Sequence, residues 1–237
     1  MPELAQLNLL GDSSLRSYYQ LNTGALTTDY KGVNTLTNNN TVGEIAGKFG
    51  IAADFGTSNS DKSLTSVSAF FTSPVIANLT VSLWLKLRTE ISSGIYNLFT
   101  LCTGANTSSY MDGLLFYDYN GGTRRLTALN RLSSSHAQAN YDITLGTSDW
   151  YNLVWVKTAT TTVTLYINGV QQATDTGTGT DRGLDGQTYI VSLGTDSDAS
   201  SFASVALDDT AFFERALTEN EIQSIYFGQA GLLGGEI

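Results

Sequence analysis

Tyr110, Tyr117, Tyr119, Arg124, Arg125, Arg131 and Tyr141 fall within one stretch of a chain that is otherwise acidic. Tyrosine and arginine are the side chains most favoured at binding hot spots, because they join broad contact area to directed hydrogen bonds. Sugars offer apolar ring faces and hydroxyl edges, so these seven residues form the candidate ligand-binding set. The competing reading is that the tyrosines are half-buried strand residues with a polar tip. Catalytic chemistry has less to work with. The closest acidic groupings are Asp196-x-Asp198, Asp208-Asp209 and Glu219-x-Glu221, and the last belongs to a helix start. His136 is the sole histidine, and its surroundings, Ser133 to Gln138, read as an exposed loop. A Ser-His-Asp or metal-histidine centre needs convergent partners that this stretch does not offer. No catalytic residue is expected.

The chain has 237 residues, 41% of them hydrophobic and 14% charged, which is the composition of a folded domain. Twelve Lys and Arg against 22 Asp and Glu leave a net charge of −10. Nucleic acid is not an expected partner, because phosphate binding is driven by clustered basic residues. Membrane insertion is not expected either, since no stretch approaches the ~20 apolar residues of a span. Cys102 is the single cysteine, so no internal disulfide or multi-cysteine zinc site can form. Met1-Pro2-Glu3 lacks the basic start and long apolar run of a signal peptide. Localisation is left open, with a surface-exposed or virion setting favoured.

The elements that must position these residues are mostly strands. Leu79, Val81, Leu83, Leu85 and Leu87 alternate with polar residues and Trp84, the period of a half-buried strand. The same rhythm appears in Phe49, Ile51, Ala53 and Phe55, in Tyr151 to Lys157, and in Val163, Leu165 and Ile167. Asn168-Gly169 reads as a type I′ hairpin turn, and Asn120-Gly121-Gly122 as another hairpin. Further strands are expected at 189–193 and 205–213, and a long loop at 174–186. Helices are expected near 3–9, within an N-terminal segment 1–11, and near 218–226, before a tail at 228–237. Thr218-Glu219-Asn220-Glu221 is a capping box for the second helix. Many short strands with one late helix read as an all-β sandwich in a single domain, 1–237.

Five ordered segments resemble the laminin-G-like, concanavalin A-like jelly-roll family. They are Ser17 to Asn22 with Asp29 to Gly32, Gly47 to Gly50 with Ala53 to Phe55, Leu79 to Lys86, Trp150 to Val154 with Val163 to Val170, and Leu207 to Thr218 with Glu221-Ile222. The resemblance implies a two-sheet antiparallel jelly roll. It also implies that Arg215, which matches a family arginine, is held by an acidic or carbonyl partner. Glycosidases on related folds carry Glu-x-Asp-x-x-Glu or Glu-x-Asp-x-Glu on one strand, and neither run occurs here. In the family an acidic residue of the closing strand can meet the early loop at a structural Ca2+ site. The matching residues are Asp29 and Asp208 or Asp209. Parity along that strand puts Asp209 with Val205, Leu207 and Phe213, and Asp208 with Ala206, Thr210 and Phe212.

Two functions from different classes fit these readings. The first is a non-catalytic lectin-like module for carbohydrate binding or adhesion at a cell or particle surface, with a glycan or surface protein as partner. The second is a structural virion protein, a decoration or fibre component of a larger viral or surface assembly. A glycoside hydrolase is a distant third.

Overall fold

The alternating runs become strands, and the pairing of those strands carries the site. The computed structural model describes residues 11–57, 61–66, 70–71, 77–103, 111–132, 135–159, 161–179, 189–195 and 202–231. The expected helix near 3–9, most of the 228–237 tail and Tyr110 lie outside those residues.

Strands β1 (Leu15–Tyr19), β2 (Leu36–Asn39), β3 (Gly43–Ala46), β4 (Ile51–Asp54) and β5 (Ser63–Ser66) are short. β6 (Leu79–Leu87), β7 (Gly94–Thr103), β8 (Met111–Asn120) and β9 (Thr123–Arg131) run to nine or ten residues each. β10 (His136–Asp142), β11 (Tyr151–Thr158), β12 (Thr162–Ile167) and β13 (Val170–Thr176) follow. β14 (Tyr189–Leu193) and β15 (Val205–Phe213) precede the helix α1 (Glu219–Gly231).

All these strands pair antiparallel in two sheets. One runs β13-β12-β11-β6-β15-β4-β3, with β1 added along β15; the other runs β10-β9-β8-β7-β14-β5-β2. Leu79, Val81, Leu83, Leu85 and Leu87 point from β6 into the core between the sheets. Burial of each such side chain is worth about 1.5–3 kcal/mol, so a run of five fixes the face of the strand. Trp155 reaches across the core, and its Nε1–H donates to the carbonyl of Leu129 on the opposite sheet at 3.2 Å.

The other face of β6, with Thr80, Ser82 and Trp84, is buried differently. Leu217, Ile222 and Ile225 form a second cluster with Leu15, Tyr18, Val154, Tyr166 and Phe213, which seats α1 on the outer face of the first sheet. Tyr226 stacks on Trp84 with centroids 5.9 Å apart. The Thr80 hydroxyl donates to the Arg215 carbonyl and accepts the Leu217 N–H, tying the turn into α1 to β6. The Thr218–Glu221 capping box forms as expected: the Thr218 N–H donates to Glu221 at 2.8 Å, and the Glu221 N–H returns to the Thr218 hydroxyl at 3.4 Å. That cluster draws on strands of the first sheet alone. The second sheet therefore turns toward solvent the face opposite the core, at least at its β7–β10 end, where Ile95 is 45% exposed.

Several expectations need correction. The loop reading of His136 fails, because His136 opens β10 and pairs with Arg131. The expected loop from 174 starts late, since Thr174 and Thr176 still belong to β13 and their hydroxyls meet those of Thr164 and Thr162. The helix runs on to Gly231, past the expected end near 226, after the Tyr226–Trp84 stack anchors its later turns. Phe49 does not share a face with Ala53 and Phe55. The chain turns at Gly50 (φ 78°), and Phe49 packs edge-on against Trp84. The parity of β15 breaks too. A bulge between Asp208 and Ala211, with Asp209 at φ 42°, sends Phe212 into the core with Val205 and Leu207 and turns Phe213 outward.

Candidate binding site at one end of the second sheet

The Asn120–Thr123 hairpin, with Gly121 and Gly122 both at positive φ, fixes the register of β8 against β9. Counting back from the turn, Tyr119 faces Arg124, Asp118 faces Arg125, and Tyr117 faces Leu126. β10 extends the rows by pairing Asp142 with Arg125 and Tyr141 with Leu126. β7 extends them on the other side, with Ile95 against Asp118 and Tyr96 against Tyr117. Adjacent residues on a strand point to opposite faces. Tyr96, Tyr119 and Tyr141 therefore close the end of the core, while Ile95, Asp118, Arg125 and Asp142 form one row on the solvent side.

Of the seven residues singled out from sequence, Tyr117, Tyr119, Arg124, Arg125 and Tyr141 come together at this end. Tyr117 is fully buried beneath it. Its hydroxyl donates to the Ile143 carbonyl and accepts the Leu145 N–H, so it is a core residue supporting the site and not a contact residue. Burial pushes its phenol pKa up. Arg131 lies at the far end of β9, six residues and about 20 Å from Arg125, and does not belong to the cluster.

Each arginine here is engaged. Arg124 lies over the Tyr119 ring, 5.4 Å from its centroid. Its Nε–H donates to the Ile91 carbonyl at 3.1 Å, and Nη2 to Glu90 at 3.2 Å. Arg125 Nε–H donates to Asp142 Oδ1 at 2.6 Å. Arg88, from the adjoining β6–β7 connection, turns instead to the first sheet and holds Asp54 of β4 at 2.9 Å. Tyr96 shares a hydrogen bond with Thr89, and the Tyr151 hydroxyl accepts the Gly146 N–H at 2.9 Å. Asp118 differs from the other carboxylates. Its Oδ1 is buried and has no hydrogen-bond partner. Desolvation raises its pKa from the ordinary aspartate value, and the nearby Arg125 charge does not offset this. A buried acceptor left without a donor is costly and is a place where a ligand hydroxyl can be received.

Sequence reasoning missed Tyr96, Glu90, Asp118, Asp142 and Tyr151. The signal for one of them was present, because register counted from the Gly121-Gly122 turn places Asp118 opposite Arg125.

The three aspartates matched to a cation site are arranged otherwise. The Asp29 carboxylate accepts the N–H groups of Tyr18, Lys31, Val33 and Asn34 and the Ser17 hydroxyl. Asp208 is fully buried and accepts the N–H of Phe49 and of Asp209, with the Gly47 backbone packed so closely that a Cβ there would lie 2.6 Å from Oδ2. Asp209 accepts the Tyr18 hydroxyl at 2.6 Å. Asp29 thus binds the backbone of Tyr18 and Asp209 the far tip of its side chain. Ca2+ needs its oxygens around one point at about 2.3–2.6 Å. Asp29, its oxygens taken by five donors, is separated from Asp209 by the length of the Tyr18 side chain, and Asp208 is turned to the Gly47–Phe49 backbone, so the three do not gather round one ion. Among the described residues no group of three or more His, Cys, Asp or Glu side chains converges.

A family model described as the concanavalin A-like lectin/glucanases superfamily matches residues 57–223. The chain belongs to this superfamily. Sequence comparison with curated proteins gives no match. Among solved structures the superfamily fold is similar to domain 4 of AbnA, a GH43 extracellular arabinanase from Geobacillus stearothermophilus, in complex with arabinotriose. That likeness has TM-score 0.64 and 19% identity over 90% of this chain and 98% of the other. The binding domain of botulinum neurotoxin serotype G is similar at TM-score 0.67 and 14% identity, over 91% of this chain and 51% of the other. The binding domain of botulinum neurotoxin DC in complex with SialylT follows at TM-score 0.64 and 13% identity, over 92% and 52%. The chain thus spans about half the length of the toxin binding domains. At these identities the likeness concerns the fold. Among the described residues no helix is long and apolar enough to cross a membrane.

Proposed function

We propose that the protein is a non-catalytic carbohydrate-binding domain that receives its ligand at the β7–β10 end of the second sheet. The observation that carries this reading is Asp118 Oδ1, a buried acceptor without a donor in a solvent-side row with Arg125 and Ile95. A sugar hydroxyl supplies the missing donor, and its oxygen accepts from the Arg125 guanidinium. The apolar ring face of the sugar covers Ile95 and half-buried Phe116 on the same side. Vicinal hydroxyls beside an apolar ring face are the chemistry of a glycan. Two similar structures, the complexes with arabinotriose and with SialylT, support the same ligand class by analogy of fold.

The carboxylates here support binding over turnover. Glu90 and Asp142 are each engaged by an arginine. Asp118 and Asp142 lie on β8 and β10 with Arg125 on β9 between them. A retaining pair needs about 5–5.5 Å between carboxyls, and an inverting pair needs room for a water between them. Arg125 occupies that room.

Isothermal titration calorimetry against a panel of oligosaccharides tests the reading. Asp118→Ala and Arg125→Ala are each expected to weaken the best ligand by about tenfold, as loss of a central contact does. An unchanged affinity in both variants would remove the site from consideration.

A further inference from the structure

Resting on that reading, we infer that the site accepts neutral glycans and discriminates against anionic ones such as sialylated, uronic or sulfated sugars. Recognition of a carboxylate or sulfate calls for a cation whose charge is not already spent, usually a guanidinium offering paired N–H groups. The guanidiniums at this end are Arg124 and Arg125, and each is held by a carboxylate of the protein: Glu90 at 3.2 Å and Asp142 at 2.6 Å. Arg124 is further fixed by the Ile91 carbonyl and by its place over Tyr119.

Asp118 then adds a third carboxylate to two guanidiniums, and its unpartnered oxygen lies next to the solvent-side Arg125. An incoming anion would meet this oxygen as a like charge, whereas a hydroxyl meets it as a donor. The wider field has the same sign, since the whole chain carries −10. Specificity of this kind comes from a repulsive element built beside the attractive one.

Asp142 is the residue whose loss should relax the discrimination. It is exposed and its partner is Arg125, so Asp142→Ala removes the carboxylate hydrogen-bonded to the solvent-side guanidinium and frees its N–H groups. Glu90→Gln, which releases Arg124 Nη2, is a second variant with an exposed partner.

The test is calorimetry on the full chain at low ionic strength with matched pairs: lactose and sialyllactose, galactose and galacturonate oligomers, and a neutral oligosaccharide and its sulfated form. The neutral member is expected to bind tenfold or more tightly than its charged counterpart in whichever pair binds. Asp142→Ala or Glu90→Gln should narrow that ratio by about fivefold, the scale of one exposed ion pair. A charged member that binds as tightly as its neutral partner overturns the inference and leaves the glycan reading standing. A ratio unmoved in both variants also overturns it. Absence of binding by every member of every pair overturns the glycan reading itself and this inference with it.

Discussion

Arg215 and Asp12, 203 positions apart in the chain, meet at 2.6 Å. The same guanidinium reaches Glu221 through Nη2 at 2.6 Å and Nη1 at 2.9 Å. One side chain therefore joins the start of β1, the end of β15 and the first turn of α1, and the acidic partner expected for Arg215 is present twice.

That junction sets an acid limit on stability. The hydrogen bond from Arg215 holds the Glu221 carboxyl down at about 2, from an ordinary 4.5. Asp12 is also lowered: burial opposes ionisation, and bonds from Ser14 and Arg215 outweigh it. A carboxyl depressed by folding contributes stability above its unfolded pKa and loses it as pH falls through the folded value. The melting temperature should fall between pH about 4.5 and about 2, and Glu221→Gln should lower it at neutral pH and flatten that decline. Circular dichroism melts across this range check both, and an unaltered profile in Glu221→Gln would be the wrong result.

Asp29 should behave as a backbone organiser. It gathers four N–H groups and a hydroxyl that together shape the loop after β1. Asp29→Asn puts an amide where only an acceptor fits, and should cost about 3 kcal/mol, the loss of charge-assisted bonds in a buried site. Added Ca2+ and chelator should both leave the melting temperature in place. A rise with Ca2+ that Asp29→Asn abolishes would reinstate the cation.

Asp118 should carry the opposite signature. Desolvation raises its pKa, so its ionised form is disfavoured in the folded chain. Stability from such a group is complete below the unfolded pKa and is lost as pH rises through the folded one. Asp118→Asn, a neutral isostere, should therefore raise the melting temperature at pH 7 and change it little at pH 3. Destabilisation at pH 7 would mean that Asp118 has a partner in the folded protein. A residue that costs stability at the place where a ligand is received fits a functional site.

Much of this was legible in residue patterns, and the gaps have physical causes. β6 announces itself because five leucine or valine side chains share one face, and the Asn168-Gly169 turn because both residues sit at positive φ. Leu36–Asn39, Gly43–Ala46 and Ser63–Ser66 escaped notice because four residues are too few to display a period. The sequence of β10 reads partly as a loop because its core-facing residues include Ala137 and Ala139, whose small side chains carry little hydrophobic signal. The Asp208–Ala211 bulge inverts the parity of β15, and nothing in an alternating pattern marks it. At the candidate site Tyr119, Arg124, Arg125 and Tyr141 were visible because neighbouring strands bring local residues together. Glu90 and Tyr96 were not, because they arrive from β7 and the turn before it, which contain no comparable cluster of tyrosine and arginine.

Backbone amide shift mapping during titration with the tightest-binding neutral oligosaccharide tests the central claim most directly. Saturable shifts are expected at Ile95, Asp118, Tyr119, Arg124, Arg125 and Asp142, with Arg131 and His136 at the far end of β9 and β10 unmoved. Shifts confined to Arg131 and His136, or to the α1 side of the first sheet, would contradict it.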